Sequence, residues 1–163
     1  MSYKEFGNQT KFKPDNGLPQ DLEHKPLFAM PYQCFDGMYS NKTDARYLSV
    51  GLAQWGHDSL SLKIMRHTGD KWSRQSEELP LHRVFDSAIF LAKVLFDREN
   101  EIVEIERYAF ERQDSALQIK QENTSANEQQ NFDTFLKENE ELMSKRLNAL
   151  YATLVSLKAK GKF

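Results

Sequence analysis

RHTGDKWSRQSEELPLHRVFD, residues Arg66 to Asp86, changes its periodicity at Pro80, and that change decides the fold class. Proline suits the first turn of a helix, where its missing N–H is no loss. After it, Leu81, Val84, Phe85, Ala88, Ile89, Leu91, Ala92 and Leu95 recur at helical spacing, which predicts a helix over 80–97. On the other side, Leu60, Leu62 and Ile64 alternate with Ser61, Lys63 and Met65 before Thr68-Gly69-Asp70, and the chain restarts at Trp72. That is the pattern of a strand entering a hairpin with glycine in its turn. The returning arm, Lys71 to Leu79, is too polar to be buried on both faces, since Arg74, Gln75, Glu77 and Glu78 would each need a partner. It reads as a rim or edge segment.

Upstream, Arg46 to Trp55 is rich in β-formers and predicts a strand; Gly56-His57-Asp58 follows as a short loop, so this strand and the next should pair antiparallel. Leu27, Phe28, Met30, Tyr32 and Phe35 suggest a further strand, placed at an edge by Pro31. Residues 1–24 are dominated by Gly, Asn and Pro, with scattered Tyr3, Phe6 and Phe12, and read as an arm that orders only where it docks. Downstream of Asp97, the run from Ile102 to Phe110 fits a helix or a strand equally well, and Gln113 to Gln130 has the composition of a linker. Ser125 stands three residues before Glu128, and Phe132, Leu136, Met143, Leu147, Leu150, Leu154 and Leu157 then recur at three, four or seven residues, predicting a long helix over 126–158. The expectation is α+β: a short antiparallel meander over 27–79 packed by one helix, plus a long C-terminal helix, all in one domain from residue 25 to 163.

A net charge of -2 over 163 residues argues against general affinity for nucleic acid, which needs an excess of Lys and Arg. One cysteine, Cys34, excludes an internal disulfide and a cysteine-based zinc site, and a buried free thiol is its ordinary reading. The opening MSYKEFGNQTKFK has no apolar run of the kind a signal peptide needs, and no stretch reaches the ~18 apolar residues of a membrane span. A cytoplasmic protein without membrane attachment is expected. His24, His57, His67 and His82 show no HxxxH or HxH spacing, and no phosphate-loop, dinucleotide or nucleophile-elbow motif occurs, so neither metal nor cofactor is expected.

DARYLSVGLAQW (44–55) and KWSRQSEELPLHRVFD (71–86), with LEHKP upstream and NEELMSKRLNAL downstream, resemble an uncharacterised family of bacterial cytoplasmic proteins known as a domain of unknown function. The resemblance runs from Leu22 through most of the chain. It implies no activity and assigns no residue a role.

The candidate site must therefore come from the residues. Arg66, Trp72, Arg74, Glu77, Glu78, His82 and Arg83 gather donors, acceptors and an aromatic platform in one stretch, which points to a binding or interaction module. The plainer account is that Glu77, Glu78 and Asp86 neutralise the arginines internally and that Trp72 belongs to the core. An enzyme is the second reading, with His82 as base, Glu78 or Asp86 orienting it, and the arginines as an anion clamp. The third is a single-stranded nucleic-acid binder using Trp55 and Trp72 as stacking surfaces; filter retention of single strands at low and moderate salt separates it from the others. Finally, the seam of the C-terminal helix predicts a homodimer with this helix in its interface.

Overall fold

Gln54 and Trp55 make the two-residue turn around which the first sheet is built, joining β2 (Ala45–Ala53) to β3 (Gly56–Arg66). The loop expected at Gly56-His57-Asp58 is therefore strand, and the turn lies two residues earlier. β1 (Lys25–Pro31) pairs with β2, and β4 (Glu78–Pro80) pairs with β3, giving a four-stranded antiparallel sheet in the order β1-β2-β3-β4. Between β3 and β4 the hairpin closes through a bridge from His67 to Trp72, with Gly69 at φ +102° supplying the left-handed residue that the turn requires. Two 3-10 turns, Gln33–Phe35 and Gly37–Tyr39, lead from β1 to β2; half-buried Cys34 lies in the first.

The structure is a computed structural model, and it describes residues 13–122 and 125–163. Tyr3, Phe6 and Phe12 lie outside the described residues. The part of the arm that is described docks through other side chains: Leu22 and His24 are buried, and Leu18 packs against the core. The chain divides into two compact units, one ending at Phe85 and the other beginning at Asp86.

The sheet does not bury the face that its sequence advertises. Along β2 and β3 the buried residues are Ala45, Tyr47, Ser49, Gly51, Ala53, Ser61, Lys63 and Met65. The opposite face carries Phe28, Met30, Val50, Leu60 and Leu79, all exposed. Leu22, Tyr47 and Met65 form the apolar part of the core, with Leu18, Ala29 and Trp72 against them. Trp72 meets Tyr47 at 6.1 Å and His67 edge-on at 5.1 Å.

Helix α1 (Leu81–Phe96) starts one residue later than expected, since Pro80 ends β4 opposite Ser61 rather than opening the helix, and none of the helix residues is fully buried. In the second unit a three-stranded antiparallel sheet forms from β5 (Arg98–Glu99), β6 (Ile102–Ile105) and β7 (Leu117–Lys120), with Val103 and Ile105 buried. This settles 102–105 as strand and corrects the linker reading of 113–130, whose residues 117–120 pair with β6. Asn100 and Glu101, at φ 49° and 63°, make the tight turn between β5 and β6. Helix α2 (Ala126–Ala159) has 34 residues and is about 51 Å long at 1.5 Å per residue. The architecture is thus α+β, with two antiparallel sheets, a helix in mid-chain and a long C-terminal helix. Among the described residues no helix is long and apolar enough to cross a membrane.

Candidate functional site

The register of the first sheet places Ser49, Lys63 and Glu78 directly across three neighbouring strands, and Ser61 two residues along on the same buried face. His24, one residue before β1, completes the set. Glu78 is its hub: its Oε1 accepts from the Ser61 hydroxyl at 2.6 Å, the Gln54 backbone N–H at 3.0 Å and His24 Nδ1 at 3.1 Å. Its Oε2 accepts from Lys63 Nζ at 3.3 Å. Lys63 also donates to the Ser76 carbonyl at 3.3 Å. The Lys63 and Glu78 side chains are 2% and 1% exposed, so this is an ion pair removed from water and held by hydrogen bonds on both partners.

These contacts fix the protonation pattern. Burial pushes the Glu78 carboxyl up, but Ser61, the Gln54 N–H and Lys63 together hold it below its ordinary value, so it is ionised at neutral pH. A carboxylate only accepts, hence His24 Nδ1 carries a proton. Burial lowers the His24 pKa despite the Glu78 carboxylate beside it, so the ring is neutral, Nε2 is an acceptor, and the Ser49 hydroxyl donates to it at 2.9 Å.

Glu78, His24 and Ser49 thus stand in the order of a carboxylate, imidazole and hydroxyl relay. Ser49, however, is 1% exposed, so the hydroxyl is buried away from solvent. The groups that do meet solvent-sized space are different ones. A cleft of about 120 Å3 is lined by Asp21, Leu22, Glu23, His24, Gln54, Lys63 and Arg74. A larger cavity of about 420 Å3 in the second unit has apolar walls, including Phe90, Val94, Val103, Ile119 and Phe132, and no buried ionic set faces into it. The smaller cleft is the one onto which two members of the buried network, His24 and Lys63, open.

The residues singled out between 66 and 86 divide into three groups. Arg66 is held in a bidentate pair with Glu77, at 2.7 and 2.9 Å, and reaches Asp44 at 2.5 Å. The guanidinium pulls the Glu77 carboxyl down to about 2, and the two carboxylates raise Arg66 above its usual range. Arg74 is exposed at the cleft, while Glu78 lies beneath it in the buried network. His82 and Arg83 are exposed on the first turn of α1. The hydrogen bonds of Glu78 go to His24, Ser61, Lys63 and Gln54, so the carboxylate expected to orient His82 is committed elsewhere. Asp86 stays half-buried further along α1. His24, Ser49, Ser61 and Lys63 were not singled out from the sequence. Their one signal was the period-two polar pattern of Ser61 and Lys63, hidden by the more apolar residues alternating with them.

A family model described as a family of unknown function, DUF6530, matches residues 17–159. The chain belongs to the DUF6530 family. The match takes in both halves of the network, from His24 to Glu78, and the whole of α2. Comparisons with curated proteins and with solved structures found no match for this DUF6530 chain.

Proposed function

We propose that this DUF6530 protein is a binding module whose first unit takes a small polar ligand bearing an acceptor group, a carboxylate or a phosphate, in the cleft between His24, Gln54, Lys63 and Arg74. The observation that carries the reading is Lys63, a buried cation at the cleft. Its ammonium has three donors, and two are accounted for by Glu78 and the Ser76 carbonyl, each at 3.3 Å. The third is available to a ligand atom. The Ser76 hydroxyl, in the residue whose carbonyl Lys63 contacts, is buried and has no hydrogen-bond partner among the described residues. Arg74, exposed at the cleft, supplies a planar guanidinium suited to a two-oxygen acceptor. The remaining charge is mixed, since Asp21 and Glu23 also line the cleft, and this favours a ligand with a donor as well as an acceptor. A reducing, cytoplasmic setting belongs to the same proposal, on the strength of the single cysteine.

Titration calorimetry with acetate, glycine and inorganic phosphate tests it. Saturable binding of one of them, weakened tenfold or more in Arg74→Ala, is the expected result. Absence of saturable heat with all three, or binding indifferent to both Arg74→Ala and Lys63→Met in folded variants, overturns it.

A further inference from the structure

The cavity of the second unit shares no lining residue with the polar cleft and has a chemistry of its own. Its floor is set by the register of the second sheet. Arg98, Val103 and Ile119 stand opposite one another across β5, β6 and β7, so their side chains leave the same face. Phe90 and Val94, four residues apart on α1, and Phe132 of α2 make the sides. Together they border an open space of about 420 Å3. Phe90, Ile119 and Phe132 are 44%, 37% and 39% exposed, so side chains that a fold ordinarily covers line a concave surface instead. An apolar cavity of ~150 Å3 holds a benzene-sized molecule, which gives this one room for roughly ten to fifteen non-hydrogen atoms.

One charge is built into the apolar space. Among the described residues that line it, Glu101, Lys120, Glu122 and Glu128 are exposed, whereas Arg98 is half-buried. Lys120 stands opposite Ile102, on the other face of the sheet from Val103 and Ile119. The Arg98 guanidinium is fixed from two sides: its carbon lies 5.0 Å from the centre of the Phe132 ring, and Nη2 donates to Asp133 Oδ1 at 3.0 Å. A guanidinium has five N–H donors, and the exposed Asp133 takes one of them. Arg66 shows in the same chain that one guanidinium serves two carboxylates, holding Glu77 on Nε and Nη2 and Asp44 on Nη1. The acids at the rim stand in water and are screened, so they weaken the pull of Arg98 on an anion without cancelling it.

We propose that this cavity binds an apolar monocarboxylate the size of a medium-chain fatty acid, its chain along Phe90, Val103, Ile119 and Phe132 and its carboxylate on the remaining donors of Arg98. An uncharged chain would cover those donors with hydrocarbon. A cationic one would set its head against the guanidinium. The acid is the class that satisfies walls and charge together.

Titration calorimetry of the full chain with octanoate and octanol tests the assignment. Octanoate is expected to bind saturably, and Arg98→Gln, shown by its thermal melt to be folded, weakens it about tenfold or more through loss of the charge-assisted pair. Octanol binds more weakly than octanoate and is indifferent to that substitution. Ile119→Trp, which fills the cavity with an indole ring at a strand position, abolishes octanoate binding. Arg74→Ala, in the cleft, leaves it unchanged, so this site and the cleft fail or stand separately. The proposal is refuted by absence of saturable heat with octanoate, by equal octanoate affinity in folded Arg98→Gln, by octanol binding as tightly as octanoate, by octanoate binding that persists in folded Ile119→Trp, or by its loss in Arg74→Ala.

Discussion

His24 and Lys63 show how one residue sets the conditions for the next. With His24 neutral and Glu78 ionised, both titrations act in the same direction. The folded-state pKa of His24 is depressed, so below about pH 6.5 the unfolded chain takes up a proton that the folded chain refuses, and stability falls as the medium is acidified. The Glu78 pKa is also depressed; its contribution is complete above the ordinary carboxylate value and disappears as pH falls further, through the folded value. Thermal unfolding from pH 8 to pH 2 is expected to show two successive losses, the upper one absent from a His24→Asn variant; an unchanged upper step in that variant would assign it to another group. Lys63→Met leaves Glu78 ionised and buried without its cation, which costs about 3–5 kcal/mol, read as a shift in the urea midpoint. A loss below 1 kcal/mol would mean that water reaches the carboxylate.

At the scale of elements, the tightest contact is backbone on backbone. A Cβ on Gly51 would stand 2.0 Å from the Lys25 carbonyl oxygen and 2.8 Å from its carbon, beside the bulge between Pro26 and Phe28 where β1 crosses β2. No flexible side-chain tip is there to yield. Gly51→Ala is therefore expected to lift the start of β1 from the sheet and to cost about 2–3 kcal/mol, with the β1 amides losing hydrogen-exchange protection before those of β3; unchanged protection in β1 would refute the clash. Because His24 adjoins β1, the same substitution should also loosen the buried network. The elements themselves were largely legible: Pro80 and the spacing after it mark α1, and the leucine spacing marks α2 close to its observed ends. The face of the sheet was not. Alternation shows that Ser61, Lys63 and Met65 share a side, but which side turns inward depended on His24 and Glu78 arriving from segments read as an arm and a rim. β7 was missed because its partner β6 is four residues long and the turn between β5 and β6 uses Glu101 at positive φ, where no glycine announces a turn.

For the molecule as a whole, the even balance of charge hides a sorted one. The net charge is -2, yet the bases of α2 collect beyond Met143 and its acids before it. The buried network is sorted in another sense, since its members come from residues 24, 49, 61 and 78, separated by as many as 54 positions along the chain. None of its bonds is local: Ser61 and Lys63 reach Glu78 through the pairing of β3 with β4, and His24 reaches Ser49 and Glu78 through the segment just ahead of β1. The shelter of the Lys63–Glu78 pair is thus lent by a segment distant from both in sequence: where the residues around His24 leave the sheet, water gains the buried carboxylate.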